Sequence, residues 1–316
     1  MKPRIFIDGA AGTTGLQIRQ RLEGRTDLAV VSLSGSERKE SGARTRALNE
    51  SDLSVLCLPD QAAREAVALI ENSAVRVLDA STAHRTAAGW VYGFPELEPG
   101  RLSEIAAAQR VSNPGCYSTG FLALIRPLVR AGIIPADFPL SANAVSGYSG
   151  GGKAMIEEFE SAASAGSTKP VVRTYALTLA HKHVTEMQVH AGLSHPPVFA
   201  PSVGRYYRGM IVEVPLQLWA LPGNTSAVTV HAVFADAYAG QPLVQVEPLA
   251  HPADTTTLDA ELLSGSDRMN LFVFGNERTR QVRLVAVLDN LGKGASGAAV
   301  QNLNIMLELP EGTGLR

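Results

Sequence analysis

The feature that most constrains the fold is a strand, a glycine-rich turn and a helix that follow one another at the start of the chain. Residues 4–8, Arg-Ile-Phe-Ile-Asp, have the character of a short buried strand. Residues 9–15, G-A-A-G-T-T-G, form the turn, and 16–22 have helical spacing. Glycines let the backbone approach a pyrophosphate, and the helix start supplies N–H donors. The order predicts the start of a Rossmann unit, although the G-x-x-G-x-x-G spacing also allows a tight structural turn.

The alternation of strands and helices continues beyond this turn. We expect strands at 28–33, 55–58 and 75–79 and a helix at 64–70. This alternation predicts a parallel, doubly wound sheet, and hence an α/β Rossmann domain. The residues predicted to contact the dinucleotide at the turn are Gly9, Ala11, Gly12, Thr13, Thr14 and Gly15.

The end of the second strand bears on the choice between NADH and NADPH. NAD-preferring enzymes place an acidic residue there for the ribose 2′-hydroxyl. This chain has Ser34, Ser36, Arg38 and Lys39 instead, which suit a 2′-phosphate. We therefore expect NADPH as the cofactor, and the alternative is a solvated basic loop.

A cysteine stands at the beginning of a second predicted helix. Cys116 lies in Asn113-Pro-Gly-Cys-Tyr117, and the apolar spacing of 118–130 predicts a helix. The positive end of a helix favours a thiolate, which is the nucleophilic form. A small buried core residue is the alternative.

Length and composition limit the class of protein. A chain of 316 residues suits two domains. After about residue 172 the pattern becomes β-rich, with strands predicted at 210–216, 227–234 and 283–289, which indicates an α+β domain with a mixed sheet. An amphipathic helix over 294–309 is expected to pack back on the first domain.

Charge and cysteine content exclude several partners. The net charge of −2 gives no reason to expect nucleic acid or an anionic membrane. No apolar stretch is long enough for a membrane span, and the start does not resemble a signal peptide. Two cysteines do not form a disulfide framework, so we expect a cytoplasmic protein, with Cys57 in the core.

The segment Leu179-Ala-His-Lys-His-Val-Thr-Glu186 holds the candidates for proton transfer. Histidine is the usual acid or base near neutral pH. We assign proton transfer to His183 and substrate contact to His181, and the reverse assignment stays open. Glu186 is expected to orient His183 if the chain turns between them. No cysteine cluster accompanies these residues, so no metal is expected.

Arg85 is predicted to bind phosphate, because it follows a strand end and arginine binds phosphate through two hydrogen bonds. Asn113 either adds a hydrogen bond to the same phosphate or caps the helix. Near the end of the chain, Lys293 and Asn302 either close a nicotinamide pocket or are ordinary polar core residues.

Four motifs together resemble one family. They are G-A-A-G-T-T-G, residues 79–85 (D-A-S-T-A-H-R), N-P-G-C-Y and residues 292–302 (G-K-G-A-S-G-A-A-V-Q-N). Over essentially the whole chain they resemble the short form of N-acetyl-gamma-glutamyl-phosphate reductase, a family related to aspartate-semialdehyde dehydrogenase. One local departure is Thr185, where the family pattern has proline.

The resemblance implies an NADPH-dependent reduction of N-acetyl-L-glutamyl 5-phosphate to the semialdehyde through a cysteine thioester, in arginine biosynthesis. It implies a Rossmann domain at 1–115 and 293–316, and a catalytic and oligomerisation domain at 116–292. It also implies a homo-oligomer, dimer or tetramer. The glycine-rich loop Ser146-Gly-Tyr-Ser-Gly-Gly-Gly-Lys153 either approaches a ligand closely or forms a hinge between domains. The resemblance places its Ser149 and Lys153 beside the substrate.

Other functions remain open on the sequence alone. Within the same chemistry, the substrate can be aspartyl phosphate or a carrier-linked aminoadipyl phosphate. A protein of a different class would sense NADP without catalysis and would tolerate the loss of Cys116. A plain alcohol dehydrogenase would leave Cys116 and Arg85 unexplained.

Overall fold

The structure, a computed structural model, describes residues 2–10, 12–33, 35, 37, 40–161, 171–249 and 255–316. It divides into two units. The first contains Met1–Pro95, Gly100–Pro114 and Ala295–Leu315, and the second contains Glu96–Pro99, Gly115–Gly294 and Arg316. The predicted assignment of the two domains to cofactor binding and catalysis remains a prediction.

The first unit is built on a parallel sheet of six strands in the order β2-β1-β3-β4-β6-β5. Its strands are β1 (Arg4–Asp8), β2 (Ala29–Val31), β3 (Leu53–Leu56), β4 (Arg76–Asp79), β5 (Val91–Tyr92) and β6 (Arg110–Ser112). Its helices are α1 (Thr13–Leu22), α2 (Ser41–Asn49), α3 (Asp60–Ala68), α4 (Arg101–Ala107) and α9 (Gly297–Met306). The Rossmann prediction is confirmed.

The central strands carry buried apolar side chains on both faces, as is typical of a parallel sheet covered by helices. β3 is buried at every position, as expected of a strand covered on two sides. Ile5, Ile7, Val55, Leu78 and Val111 form one core together with side chains of α1, α4 and α9. The last helix therefore packs in the first unit, as predicted.

The second unit contains a mixed sheet of seven strands in the order β11-β12-β13-β10-β7-β9-β8. The strands are β7 (Ser141–Gly147), β8 (Val172–Thr174), β9 (Val198–Gly204), β10 (Met210–Gln217), β11 (Val244–Val246), β12 (Met269–Asn276) and β13 (Gln281–Leu288). The helices are α5 (Cys116–Arg130), α6 (Gly152–Ser161), α7 (His183–Ala191) and α8 (Ala227–Ala237).

Helices α5 and α8 cover one face of this sheet. The burial of β10 alternates residue by residue, so that Val212 and Val214 are buried and Ile211 and Glu213 are partly exposed. An added Cβ on Gly120 of α5 would lie 2.7 Å from Cγ2 of Val212, so helix and sheet touch at a glycine. Cys116, the first residue of α5, is therefore carried by a helix packed directly on the sheet.

The prediction of a strand at 227–234 is wrong, because these residues begin helix α8. Valine and threonine favour strands, but the Ser226 side chain accepts a hydrogen bond from the backbone N–H of Thr229 and caps the helix. Ala227, Val230 and Phe234 are buried, which is the spacing of one helical face. The β-branched residues made the segment resemble a strand, although its buried residues follow the spacing of a helix.

The terminal segment also differs from the expected amphipathic helix. A turn of π-helix, Gly292–Ser296, precedes α9, and α9 ends at Met306. Every residue of α9 is buried, including Gln301, Asn302 and Asn304. The polar residues that gave the pattern an amphipathic look serve as buried hydrogen-bonding groups.

Candidate active site

Cys116 is the first residue of helix α5 and is partly exposed. Gly115 before it has an extended backbone (φ −80°, ψ 148°) and no side chain caps the helix, which leaves the N–H groups of the first turn without a side-chain cap. No acidic residue lies in this first turn. The sulfur is thus attached at the positive end of the helix dipole, where a thiolate is favoured.

Glu186 holds the loop that leads to Cys116. Helix α7 begins at His183, so Glu186 lies one turn further along on a similar face. Its buried Oε1 accepts a hydrogen bond of 2.7 Å from the backbone N–H of Gly115. The carboxylate therefore ties α7 to the residue before the cysteine, and its expected orientation of His183 remains a prediction.

The two histidines lie around the ring of Tyr117, the residue after the cysteine. The Tyr117 ring centre is 6.0 Å from that of His181 and 5.8 Å from that of His183. The two imidazole rings are 4.7 Å apart in a T-shaped arrangement. The structure thus brings Cys116, His181, His183 and Glu186 into one region of the second unit.

The hydrogen bonding of His181 distinguishes the two imidazoles. Its Nδ1 accepts a hydrogen bond of 3.1 Å from the backbone N–H of His183. A neutral ring that accepts at Nδ1 carries its proton on Nε2. His181 is therefore set up as a donor at Nε2, which suits contact with a substrate oxygen.

The glycine-rich loop holds its two predicted substrate residues in different surroundings. Ser149 is buried, and its Oγ accepts a hydrogen bond of 3.0 Å from Nδ2 of Asn290. Lys153 is exposed on α6 and lies 3.6 Å from Glu157. Their proposed contacts with substrate stay predictions.

In the first unit, the glycines of the predicted dinucleotide turn are required by close backbone contacts. Gly9 has φ +86°, and a Cβ there would lie 2.3 Å from the carbonyl oxygen of Cys57. A Cβ on Gly15 would lie 2.4 Å from the carbonyl oxygen of Gly9, and Gly12 donates its N–H to that oxygen at 3.0 Å. Thr13 and Thr14 open helix α1, and Ala11 lies outside the described residues.

Arg85, Asn113 and Asn302 meet in the first unit. Nε of the buried Arg85 donates to the carbonyl oxygen of Asn113 at 2.9 Å. Nδ2 of Asn302 donates to Oδ1 of Asn113 at 3.1 Å and to the carbonyl oxygen of Gly93 at 2.7 Å. Oδ1 of Asn302 is buried and has no hydrogen-bond partner within the described part of the chain.

A buried carboxylate fixes the segment that leads to Arg85. Asp79 accepts hydrogen bonds from the N–H and the hydroxyl of Ser81, and its Oδ2 lies 2.6 Å from Nδ1 of His84. The His84 ring stacks on Trp90 with a centroid distance of 4.1 Å. The Asp79 carboxylate thus fixes the part of the D-A-S-T-A-H-R motif that directly precedes the arginine.

Comparison with known proteins identifies the family. A family model described as the semialdehyde dehydrogenase NAD binding domain matches residues 4–105, and one described as its dimerisation domain matches 116–290. N-acetyl-gamma-glutamyl-phosphate reductase 2 of a Nostoc species is 55% identical over 320 residues, covering 99% of both chains. The Brucella anthropi N-acetyl-gamma-glutamyl-phosphate reductase is 54% identical, covering 97% of this chain and 99% of its own. The chain belongs to the N-acetyl-gamma-glutamyl-phosphate reductase family.

The fold of this reductase family member is also similar to that of several solved structures. Aspartate semialdehyde dehydrogenase II of Vibrio cholerae has a TM-score of 0.73 at 15% identity, covering 98% of this chain and 99% of its own. The Francisella tularensis aspartate semialdehyde dehydrogenase has a TM-score of 0.72 at 12% identity, covering 97% and 100%. The predicted Rossmann domain with a second, mixed-sheet domain is confirmed.

Sequence reasoning about this family member missed a chain of hydroxyl groups next to the cysteine. The Tyr175 hydroxyl donates to that of Tyr117 at 3.0 Å, and Oη of Tyr117 lies 2.6 Å from Oγ of Ser146. Burial, with the nearby Cys116 adding to it, raises the pKa of Tyr117, and burial raises that of Tyr175 to about 12. Both phenols thus stay protonated at neutral pH. The position of Tyr117 directly after Cys116 was the available signal.

Arg44 was also not singled out from the sequence. Together with Asp8, Gly9, Ala10 and Leu33 it lines a cavity of about 270 Å³ in the first unit of this reductase family member. Its Nε donates to Oδ2 of Asp8 at 2.7 Å. Ser34, Ser36, Arg38 and Lys39, which carried the prediction for the 2′-phosphate, lie outside the described residues.

Two further findings concern the described residues alone. They contain no group of three or more histidine, cysteine, aspartate or glutamate side chains arranged to hold a metal ion. Among their helices, none has both the length and the apolar character needed to cross a bilayer.

Proposed function

We propose that the chain reduces N-acetyl-L-glutamyl 5-phosphate to N-acetyl-L-glutamate 5-semialdehyde and phosphate, with NADPH, through a thioester on Cys116, in arginine biosynthesis. Relatives that match nearly the whole chain are named N-acetyl-gamma-glutamyl-phosphate reductases. The observation that carries the mechanism is the position of Cys116 at the start of α5, beside a loop held by Glu186 and next to an aromatic cluster containing two histidines.

In the first step the Cys116 thiolate attacks the acyl carbon, and the carbon–oxygen bond to phosphate breaks to leave a thioester. Because His181 uses Nδ1 to accept from the backbone of His183, it is committed to donation at Nε2. We therefore assign the mobile proton to His183, which takes it from the thiol and passes it to the departing phosphate. Backbone N–H groups at the start of α5 are the donors available for the tetrahedral oxyanion.

The first unit fits a dinucleotide. The contacts of Gly9 and Gly15 leave no room for a side chain where the turn would meet a pyrophosphate. The buried Oδ1 of Asn302 is an acceptor suited to an amide N–H such as that of a nicotinamide carboxamide. When bound, NADPH supplies the hydride that reduces the thioester to the aldehyde level.

Arg85 and Asn113 are proposed to bind the phosphate of the substrate. Arg85 is buried, and its Nε is engaged by the Asn113 carbonyl, so its guanidinium is held in one orientation. A fixed, planar guanidinium can bind a phosphate through two parallel hydrogen bonds.

We propose that Arg44 contributes to the preference for NADPH over NADH. It lines the cavity that begins at the end of β1 and includes Leu33 after β2, which is where Rossmann domains place the adenosine ribose. Asp8 neutralises the guanidinium in the absence of cofactor. Without Arg44, the Asp8 carboxylate would face a 2′-phosphate and repel it.

Calorimetric titration with 2′,5′-ADP and 5′-AMP tests this assignment. Arg44→Gln should weaken binding of 2′,5′-ADP roughly tenfold or more and change 5′-AMP little, because a charge-assisted hydrogen bond is lost. Adding Asp8→Asn should restore part of the affinity. Equal losses for both ligands would contradict the assignment.

The match to a dimerisation domain supports a homo-oligomer. We propose a dimer or tetramer that uses the sheet face opposite α5 and α8. Phe272 and Phe274 of β12 are stacked on this face with ring centres 5.9 Å apart, and Ile211 of β10, two strands away, is partly exposed. A nucleophilic thiol also needs a reducing compartment, so we place the enzyme in the cytoplasm.

The function is tested with the full chain and the Cys116→Ala variant. The parent should reduce the acyl phosphate with NADPH, and the variant should lose turnover while it still binds NADPH. Retained reduction by the variant would overturn the proposal, and a parent without any turnover would favour an NADP-sensing role. Phosphate-dependent oxidation of N-acetylglutamate semialdehyde and of aspartate semialdehyde would separate the two substrates, because only the true one gives a high kcat/KM.

A further inference from the structure

The second unit contains a fully buried ion pair that the proposed mechanism does not use. Nζ of Lys293 lies 2.7 Å from Oε1 of Glu96, and the two side chains are 1% and 0% exposed. Lysine and glutamate are rarely buried to this extent, because both charges lose their hydration. A pair of apolar side chains of similar size would fill the same space at a lower cost, so the position of the pair needs an explanation.

The neighbour of Lys293 in the chain lies against the nucleophile. A Cβ built on Gly294 would be 2.8 Å from Cβ of Cys116 and 3.3 Å from its Cα. The backbone of Gly294 therefore forms one wall of the space around the first residue of α5. A shift of this backbone changes the room available to the cysteine side chain.

Hydrogen bonds to Asp289 fix the start of the turn that contains Gly294. The N–H groups of Gly292 and Gly294 donate to the carbonyl oxygen of Asp289 at 3.1 Å and 3.0 Å. The buried Asp289 carboxylate accepts from the N–H groups of Gly265 and Leu291. These bonds hold the backbone on both sides of Lys293, and the ion pair with Glu96 holds the side chain between the two glycines.

We propose that the Lys293–Glu96 pair positions the nucleophile: it holds residues 292–294 against Cys116, so that the sulfur keeps the orientation needed to attack the acyl carbon. The pair acts through Gly294 and does not itself touch the substrate, and the inference rests on the proposed function. A hydrogen-bonded ion pair suits this task because its N–H···O bond is directional and fixes one register, whereas apolar groups can slide past each other.

The decisive variant is Lys293→Met combined with Glu96→Met. Lys293→Met alone removes the opposite charge from a buried carboxylate and can unfold the protein, whereas the double variant removes both charges and roughly keeps the volume. We expect urea unfolding near that of the parent, a tenfold or greater loss in kcat with little change in KM, and a parallel loss in the rate at which iodoacetamide alkylates Cys116.

Two controls show that a change in the alkylation rate reports on the position of Cys116. Burial, with the Asp79 and Asp8 carboxylates adding to it, raises the pKa of Cys57 to about 12, so this second thiol should not react near pH 7. Arg126→Met breaks a 2.7 Å pair with Glu98, which belongs to the same chain segment as Glu96 and joins it to α5. This control should leave the alkylation rate and kcat unchanged.

A folded double variant with the parent's kcat and alkylation rate would overturn the inference. If the double variant does not fold, Lys293→Leu combined with Glu96→Leu replaces it, because this pair also removes both charges together and leaves no isolated buried charge. The same losses are expected for it, and parental rates would likewise overturn the inference. A parent without reductase activity would overturn the proposed function instead, so the two failures are distinguishable.

Discussion

Replacement of Gly294 by alanine should impair the reaction while leaving the fold intact. The added methyl carbon would lie 2.8 Å from Cβ of Cys116 and 3.1 Å from the carbonyl oxygen of Asp289. Carbon atoms pack at about 3.5–4.0 Å, so the turn and the cysteine must separate by about 0.7 Å or more. Overpacking of this kind costs about 1–3 kcal/mol of stability, and a displacement near 1 Å at a reacting group can cost about 10²-fold in rate.

The assay compares kcat, NADPH affinity and the urea midpoint of Gly294→Ala with those of a matched variant. Gly312→Ala is the control, because an added Cβ at Gly312 meets no atom within 4 Å. We expect roughly a 10²-fold loss in kcat for Gly294→Ala, unchanged NADPH affinity, and no effect of the control. A Gly294→Ala enzyme with parental kcat would show that the backbone at 294 does not determine the position of the sulfur.

Three further outcomes are expected. Tyr117→Phe removes the hydroxyl that Ser146 and Tyr175 share, and it should lower the free energy of unfolding by about 1–3 kcal/mol in urea titrations. The control Tyr207→Phe, at an exposed tyrosine, should lower it by less than about 0.5 kcal/mol. Equal effects of the two variants would contradict the hydroxyl chain. The folded state keeps Cys57 and Tyr175 neutral, because their pKa values in the folded protein are raised to about 12. The free energy of unfolding should therefore fall as the pH rises from about 9 toward 12, at up to about 1.4 kcal/mol per pH unit per group. A constant free energy of unfolding over pH 8–12 would contradict this predicted decrease. Phe274→Lys should shift the light-scattering mass toward the monomer, and an unchanged mass would exclude the open sheet face as the contact.

The parts of the fold that could be predicted are those in which one local pattern determines the structure. The strand, glycine turn and helix at the start of the chain required a Rossmann unit, because only glycine fits where the turn crosses the backbone of Cys57. The N-P-G-C-Y motif likewise predicted a helix with its cysteine near the start, and α5 begins at Cys116. In both cases the residues that decide the structure lie within about a dozen positions of one another.

Contacts between distant residues could not be predicted. Glu186 binds the backbone of Gly115, 71 positions earlier, and Lys293 pairs with Glu96 across 197 positions. The segment 227–234 was predicted as a strand because its β-branched residues favour strands locally. The Ser226 cap and the burial of one face stabilise a helix there instead. The hydrogen bond from the His183 N–H to Nδ1 of His181, on which the proposed choice of proton carrier rests, could not be predicted either.

The central claim is that a thioester forms on Cys116, and one pre-steady-state measurement tests it directly. The enzyme is mixed with NADP⁺ and N-acetylglutamate semialdehyde in the absence of phosphate. We predict a burst of about one NADPH per active site and an acyl adduct that peptide mass spectrometry locates on Cys116, followed by turnover once phosphate is added. Steady turnover only after phosphate, with no burst and no adduct on Cys116, would contradict covalent catalysis by this cysteine.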